Sequence, residues 1–326
     1  MMDFKTDLRF VCFIVLFFCF GSVFATPGRD RGALAGGADS VDVVFVGNSY
    51  TYANGMVDIF KGLVESVRRG GIDVGRLSDS RVLAGGATLQ RHWQDPKKKL
   101  VKLIGNGNVN VNPRPTKHDF VVLQEQSQGA LTPVSRARMF KYARLICKAA
   151  RAGRSQPVFF MTWARRSTFG KDGKGKMCKR EFMYEVVRDG KSVIVDPNVM
   201  SASDGIVKTY RQIADELAAK VAPCGVAFAK AVKAGIAVHS EKEKYGSHPN
   251  LNGSYLVACV FYGTIYDRNP EEIPDDAFKK IDAKLAAKLQ KIAKEAVNEE
   301  KKRKAKKKPK EEITKSPRIT QDCEWV

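Results

Sequence analysis

Two rhythms of apolar and polar positions alternate along most of the chain. Short apolar runs of four to eight residues are divided by stretches in which apolar side chains recur every three or four positions. The first run, Val41 to Val46, is broken only by Asp42 and stops at Gly47 and Asn48. A helix from about 55 to 68, a short strand at Arg81 to Ala84 and a helix from about 88 to 103 follow. Next come "DFVVLQ" at 119–124, a helix over 134–152 closed by Gly153, "PVFFMTW" at 157–163 and a helix over roughly 204–219. "VAPCGVAF" at 221–228 is a fifth strand candidate. Apolar runs of strand length separated by helical patterns predict a parallel sheet covered on both faces, because only a strand buried on both sides can be apolar throughout. The expected architecture is α/β, a three-layer α/β/α sandwich.

The ends of the chain break this rhythm. Lys5 and Arg9 precede an unbroken apolar run from Phe10 to Phe20, followed by Gly21-Ser22-Val23-Phe24-Ala25, with short residues at Val23 and Ala25. This is the pattern of a cleavable signal peptide over 1–25, and the run is short for a membrane span. It predicts a secreted or periplasmic protein with no transmembrane segment after cleavage. Residues 26–40 read as a linker, 41–298 as the domain and 299–326 as a Lys-rich disordered tail. Near the end of the domain, Phe278, Ile281, Leu285, Leu289, Ile292 and Val297 recur at steps of mostly three and four, predicting an amphipathic helix over 275–297. Residues 166–195 read as an exposed basic insertion. Charge adds one more feature: "KKRKAKKKPK" at 301–310 carries eight of the net +21. Such a block is a solvated tail or a contact for a polyanion, and acidic polysaccharide is then a more reachable partner than nucleic acid. After residue 25 the cysteines are Cys147, Cys178, Cys224, Cys259 and Cys323. An odd number without a CxxC pair is no disulfide framework, and Cys147, Cys224 and Cys259 lie in apolar segments as buried thiols.

Candidate chemistry sits where the predicted strands end. "GNSYT" at 47–51, "AGGATL" at 84–89 and "LQEQSQG" at 123–129 fall on one edge of the sheet, and "YGSHPN" at 245–250 sets His248 before an apolar helix from Leu251 to about Tyr262. Ester hydrolysis by serine needs an exposed hydroxyl, an imidazole to take its proton and donors aimed at the oxyanion. Each part also has a plainer reading: Ser49 as a turn residue, Gly85-Gly86 as a tight turn, the glutamines as a polar strand end, His248 as a cap. His92 and His118 read as surface or core residues, with His239 a weaker second base. Four histidines without close pairing disfavour a metal site, and no cofactor is expected. Phe45, Tyr50, Tyr52 and Trp163 either line a sugar-binding cleft or belong to the core.

Taken in order, these segments resemble the SGNH (GDSL-like) hydrolase superfamily over about residues 41–297, and most closely an uncharacterised secreted bacterial subgroup. "FVGNSYTY" resembles the first block, "AGGATL" the second and "HPNLNGSYL" the last. The resemblance implies a flavodoxin-like five-stranded parallel sheet and acyl-ester hydrolysis. Ser49 would be the nucleophile, His248 the base, and the N–H groups of Ser49 and Gly86 oxyanion donors. The third donor is usually an asparagine; Gln124 or Gln126 stands in that region.

The sequence departs from the superfamily at one place. Tyr245 occupies the position three before the histidine where an aspartate usually orients the imidazole. Disabling that acid in a Ser-His-Asp triad costs on the order of 10⁴ in turnover. Glu243 or Glu241 could replace it, a backbone carbonyl could orient a dyad, or catalysis could be lost. The resulting expectation is a secreted carboxylic ester hydrolase, a carbohydrate O-acetylesterase acting on a small-molecule or glycan ester. Its rival is a catalytically impaired protein that binds an acidic polymer.

Overall fold

The computed structural model describes residues 39–105, 118–164, 184–188, 191–195, 205–241 and 247–307. Its centre is a sheet of five parallel strands. β1 (Ser40–Gly47) lies between β2 (Arg76–Leu83) and β3 (Phe120–Leu123), followed outward by β4 (Gln156–Phe160) and β7 (Lys220–Ala222). Between β4 and β7 in the chain, β5 (Tyr184–Arg188) and β6 (Lys191–Val195) pair antiparallel as a separate ribbon inside the segment read as an insertion.

Successive strand residues point to opposite faces, and both faces are covered. Val43, Phe45, Phe120, Val122, Val158 and Phe160 pack into one core with α2 (Met56–Arg69), α7 (Cys224–Lys233), α8 (Leu251–Ile265) and α9 (Ala283–Lys306). Val44, Val46, Val121, Leu123 and Phe159 pack into the other. That second layer contains α3 (Leu89–Trp93), α4 (Lys99–Ile104), α5 (Pro133–Ala152) and α6 (Ile206–Glu216). The three-layer α/β/α sandwich is therefore the one the pattern predicts, with the order β2-β1-β3-β4-β7 of a flavodoxin-like sheet. Cys147, Cys224 and Cys259 are free and buried within it.

Four elements differ from their expected bounds. β2 begins at Arg76, well before Arg81, because this edge strand buries only one apolar side chain fully on each face, Leu77 on one and Val82 on the other, and so shows no apolar run. Its polar positions are used: Arg81 bridges Asp79 at 2.6 Å and Asp58 of α2 at 2.5 Å. The helix expected over 88–103 is two short helices, divided near Pro96, whose ring cannot continue a helix, and by Lys98 at φ 52°. In "VAPCGVAF" only the first residues are strand; Pro223 ends the ladder and α7 starts at Cys224. Finally, α9 starts at Ala283, where the Asp282 side chain accepts from Leu285 N–H, and runs past Val297 to Lys306.

The first turns of the basic block are thus helical and held against the body. Arg303 grips Asp215 of α6 with two hydrogen bonds, at 2.7 and 2.8 Å, and Glu300 at 2.8 Å. Glu300, almost fully buried, also accepts from Arg211 at 2.8 Å. Lys301 pairs with Asp267, and Lys304 donates to the Ala219 carbonyl. Among the described residues no helix is long and apolar enough to cross a membrane; residues 1–25 and 310–326 lie outside them.

Candidate active site

The site forms where β1, buried along its last five residues, runs out. At Gly47 a Cβ would lie 2.5 Å from Thr51 Oγ1 and 2.7 Å from Gln124 Oε1, so only glycine fits. The Gly47 carbonyl accepts from Ala84 N–H at 3.2 Å and bonds His92 Nε2 at 2.8 Å. Burial pushes the His92 imidazole below its ordinary pKa, which favours a neutral ring donating to that carbonyl. Asn48 then turns the chain. Its side chain accepts from Tyr50 N–H at 3.1 Å, capping α1 (Ser49–Tyr52), and donates to the Ala87 carbonyl at 2.9 Å. Ser49, the first residue of α1, is left half-exposed above the sheet.

His248 reaches it from the far end of the chain. Its Nε2 lies 2.6 Å from Ser49 Oγ, and its Nδ1 is 3.3 Å from Ser247 Oγ. The loop carrying it is pinned on several sides. Ser240 N–H donates to the His248 carbonyl at 2.9 Å, His239 and Pro249 form an antiparallel bridge, and Asn250 caps α8 through Gly253 N–H. From the serine side, Asn54 donates at 3.0 Å to the Pro249 carbonyl and at 2.9 Å to Ser254 Oγ. Beneath the imidazole runs an aromatic stack. Tyr50 meets His248 edge-on at 5.4 Å and stacks on Trp163 at 4.7 Å, and Trp163 stacks on Phe228 at 4.0 Å. Trp163 Nε1 donates to the Ser247 carbonyl at 3.0 Å. Phe45, Tyr50 and Trp163 are therefore core, and the cleft reading of these three is corrected: each is at most 3% exposed. Tyr52, at 47%, is the one of the four that faces solvent, and its hydroxyl lies beside Gly85.

Across the cleft, the chain leaving β2 turns at Gly85 and Gly86, both exposed, with Gly86 at φ 61°. The turn is tied by Ala87 N–H to the Ala84 carbonyl at 3.1 Å, and by Arg91 to the Gly85 carbonyl at 3.2 Å. The two glutamines separate clearly. Gln124 is fully buried: its Oε1 accepts from Asn48 N–H at 2.9 Å and Thr51 Oγ1 at 3.0 Å, and its Nε2 donates to the Glu125 carbonyl. It is a brace under the serine turn, and its amide is spent there. Gln126 is half-buried; its Oε1 accepts from Gln128 N–H at 2.8 Å and its Nε2 donates to Ser127 Oγ at 3.2 Å.

The structure thus brings Ser49 and His248 together and sets Gly86 on the neighbouring strand end. Glu243 lies outside the described residues, as does Tyr245. Glu241 is exposed, one residue past the Ser240–His248 tie. Three groups that build the site went unremarked in the sequence: the Asn48 side chain, His92 as the anchor of Gly47, and Glu125. Glu125 is 1% exposed between two backbone donors, and burial pushes its carboxyl up to about 7.

No family model and no curated protein matches the sequence. Solved structures do. A DUF4886 family protein from Bacteroides uniformis superposes with a TM-score of 0.50 at 15% identity, over 80% of this chain and 95% of that one. A protein from Slackia heliotrinireducens, provisionally described as an SGNH hydrolase, matches at 24% identity with a TM-score of 0.46, over 69% and 99%. An acetylxylan esterase from Geobacillus stearothermophilus matches at 12% with a TM-score of 0.44, over 70% and 95%. Identities this low speak to architecture alone, and the architecture shared with the DUF4886 family protein is the three-layer α/β/α sandwich around a parallel sheet.

Proposed function

We propose that the protein is a serine ester hydrolase that removes acetyl or another short acyl group from a carbohydrate. The observation that carries this reading is the 2.6 Å contact between Ser49 Oγ and His248 Nε2, residues 199 positions apart, on a half-exposed serine at the carboxyl end of a parallel sheet. A core serine or a helix cap has no need of an imidazole at that distance.

In this mechanism Ser49 Oγ attacks the ester carbonyl as His248 Nε2 takes its proton. The same proton then passes to the leaving alcohol, and water repeats the sequence on the acyl-serine. The Ser49 and Gly86 N–H groups receive the oxyanion. Gln126, half-buried on the third strand end, is the side-chain donor in preference to the buried Gln124. Ser247 Oγ or a carboxylate from the 241–246 segment, Glu243 or Glu241, orients His248 through Nδ1. The carbohydrate substrate is supported by Tyr52, an exposed ring beside Gly85, and by the amino-terminal apolar run read as a secretory signal.

The test is hydrolysis of a short-chain aryl acetate by the chain from residue 26 onward. Ser49→Ala and His248→Gln are expected to lower kcat by on the order of 10⁴ or more. A fluorophosphonate is expected to label Ser49 in the parent protein only. Parent protein that neither turns over nor labels would overturn the reading.

A further inference from the structure

Glu125 lies between the two glutamines and has no part in the proton transfers above. It is almost completely buried, yet both of its oxygens are spoken for. Oε2 accepts from Leu89 N–H at 3.2 Å and Oε1 from Gln126 N–H at 2.8 Å. Leu89 is three residues beyond Gly86, at the start of α3, and Gln126 is the half-buried residue to which the proposed mechanism gives the side-chain donor role. One carboxylate thus joins the two loops. Room for it is made by Gly129, where a Cβ would lie 2.3 Å from Glu125 Cγ and 2.9 Å from its Cδ.

The geometry points to Glu125 as a positioning residue for the oxyanion donors, a clamp that fixes the Gly86 turn and Gln126 relative to each other. This role rests on the hydrolase reading and extends it. The clamp is strongest in the ionised form. A carboxylate accepts at both oxygens, whereas an amide turns an N–H towards one of the two donors, and a neutral acid meets one of them with a hydroxyl oxygen, a weaker acceptor than a carboxylate oxygen. An amide nitrogen cannot bond a facing N–H and a hydroxyl holds it less firmly, so one loop is loosened. Burial of the group raises its pKa to about 7, so the clamp closes as pH rises through neutrality. Arg138 of α5 and Tyr210 of α6 are the ionisable side chains facing it; Arg138 favours the charged form, and the Tyr210 phenol is itself held neutral by burial. Small displacements of donors and reacting groups cost 10²-fold in turnover, which is the scale on which such a clamp acts.

The experiment compares kcat and KM for an aryl acetate in the full chain, Glu125→Gln and Gly129→Ala, from about pH 5 to 8. At pH 8 both variants are expected to lose roughly 10- to 100-fold in kcat with KM within about twofold. The wild-type to Glu125→Gln ratio of kcat is expected to fall towards one at pH 5, where the wild-type group is itself protonated. Damage to packing alone would leave that ratio flat. Gly129→Ala displaces the same carboxyl without altering its chemistry, and it decides the matter should Glu125→Gln fail to fold. A folded Glu125→Gln with wild-type kcat at pH 8, or a ratio constant with pH, overturns the clamp while the hydrolase reading stands. A wild type without turnover or Ser49 labelling overturns both.

Discussion

Glu125 shows how a single residue can set stability against geometry. In the folded protein its carboxyl titrates near 7 instead of its ordinary 4.5, because burial opposes the charge more than two N–H donors favour it. A raised carboxyl pKa contributes stability that is fully present below about 4.5 and lost as pH rises through about 7. A shift of that size is worth on the order of 3 kcal/mol. His92 acts with the opposite sign: its lowered pKa contributes stability above the ordinary value, which is lost as pH falls. Urea unfolding of the wild type beside Glu125→Gln separates the two. The variant should gain stability relative to the wild type between pH 5 and 8, and a constant difference would show that Glu125 ionises as it does in water. The charge is thus held where it weakens the fold, at the point where the cleft needs two loops joined.

At the scale of elements, the site depends on how one strand ends. Asn48 caps a helix of only four residues and ties it to Ala87 on the neighbouring strand end. Asn48→Ala removes the cap and a buried donor together and should cost about 2 to 3 kcal/mol in a denaturant midpoint. It should also lower kcat, since Ser49 begins that helix. The sequence made much of this legible. Val41–Val46, the three glycine- and glutamine-bearing strand ends and His248 stand out because buried parallel strands are continuous apolar runs and turn chemistry marks where they stop. β2 was obscured because, at the edge of the sheet, it fully buries only Leu77 and Val82, one on each face. α7 hid behind the apolar "VAPCGVAF", whose run suits a strand and a buried helix equally well. Gln124 and Gln126 could not be told apart, because which amide is buried depends on contacts from Asn48 and Thr51, more than 70 positions away. Glu125 escaped notice for the same reason: its partner Leu89 belongs to another strand's loop.

For the whole molecule, the unexpected element is α9, which carries the start of the basic block on a fixed path. Asp215 sits below its ordinary pKa: burial would raise it, and the Arg303 and Lys307 hydrogen bonds outweigh that effect. A chain ending at residue 300 would leave Asp215 and Glu300 without Arg303. It should melt several degrees below one ending at 307, a loss of roughly 1 to 3 kcal/mol. Equal melting temperatures would show that these ion pairs contribute nothing. Lys301, Arg303 and Lys304 face acidic groups or carbonyls of their own body. A polyanion contact therefore falls to the other basic residues of the block, the exposed Lys302 among them, and should weaken with salt. The three enclosed sulfurs carry a different consequence. Burial raises the thiols of Cys147, to about 12, and of Cys224 and Cys259, so almost no thiolate forms at neutral pH. Thiolate is what oxidants and other disulfides attack. At these positions the protein can pass through an oxidising compartment with its sulfur unchanged, its core indifferent to the redox state around it.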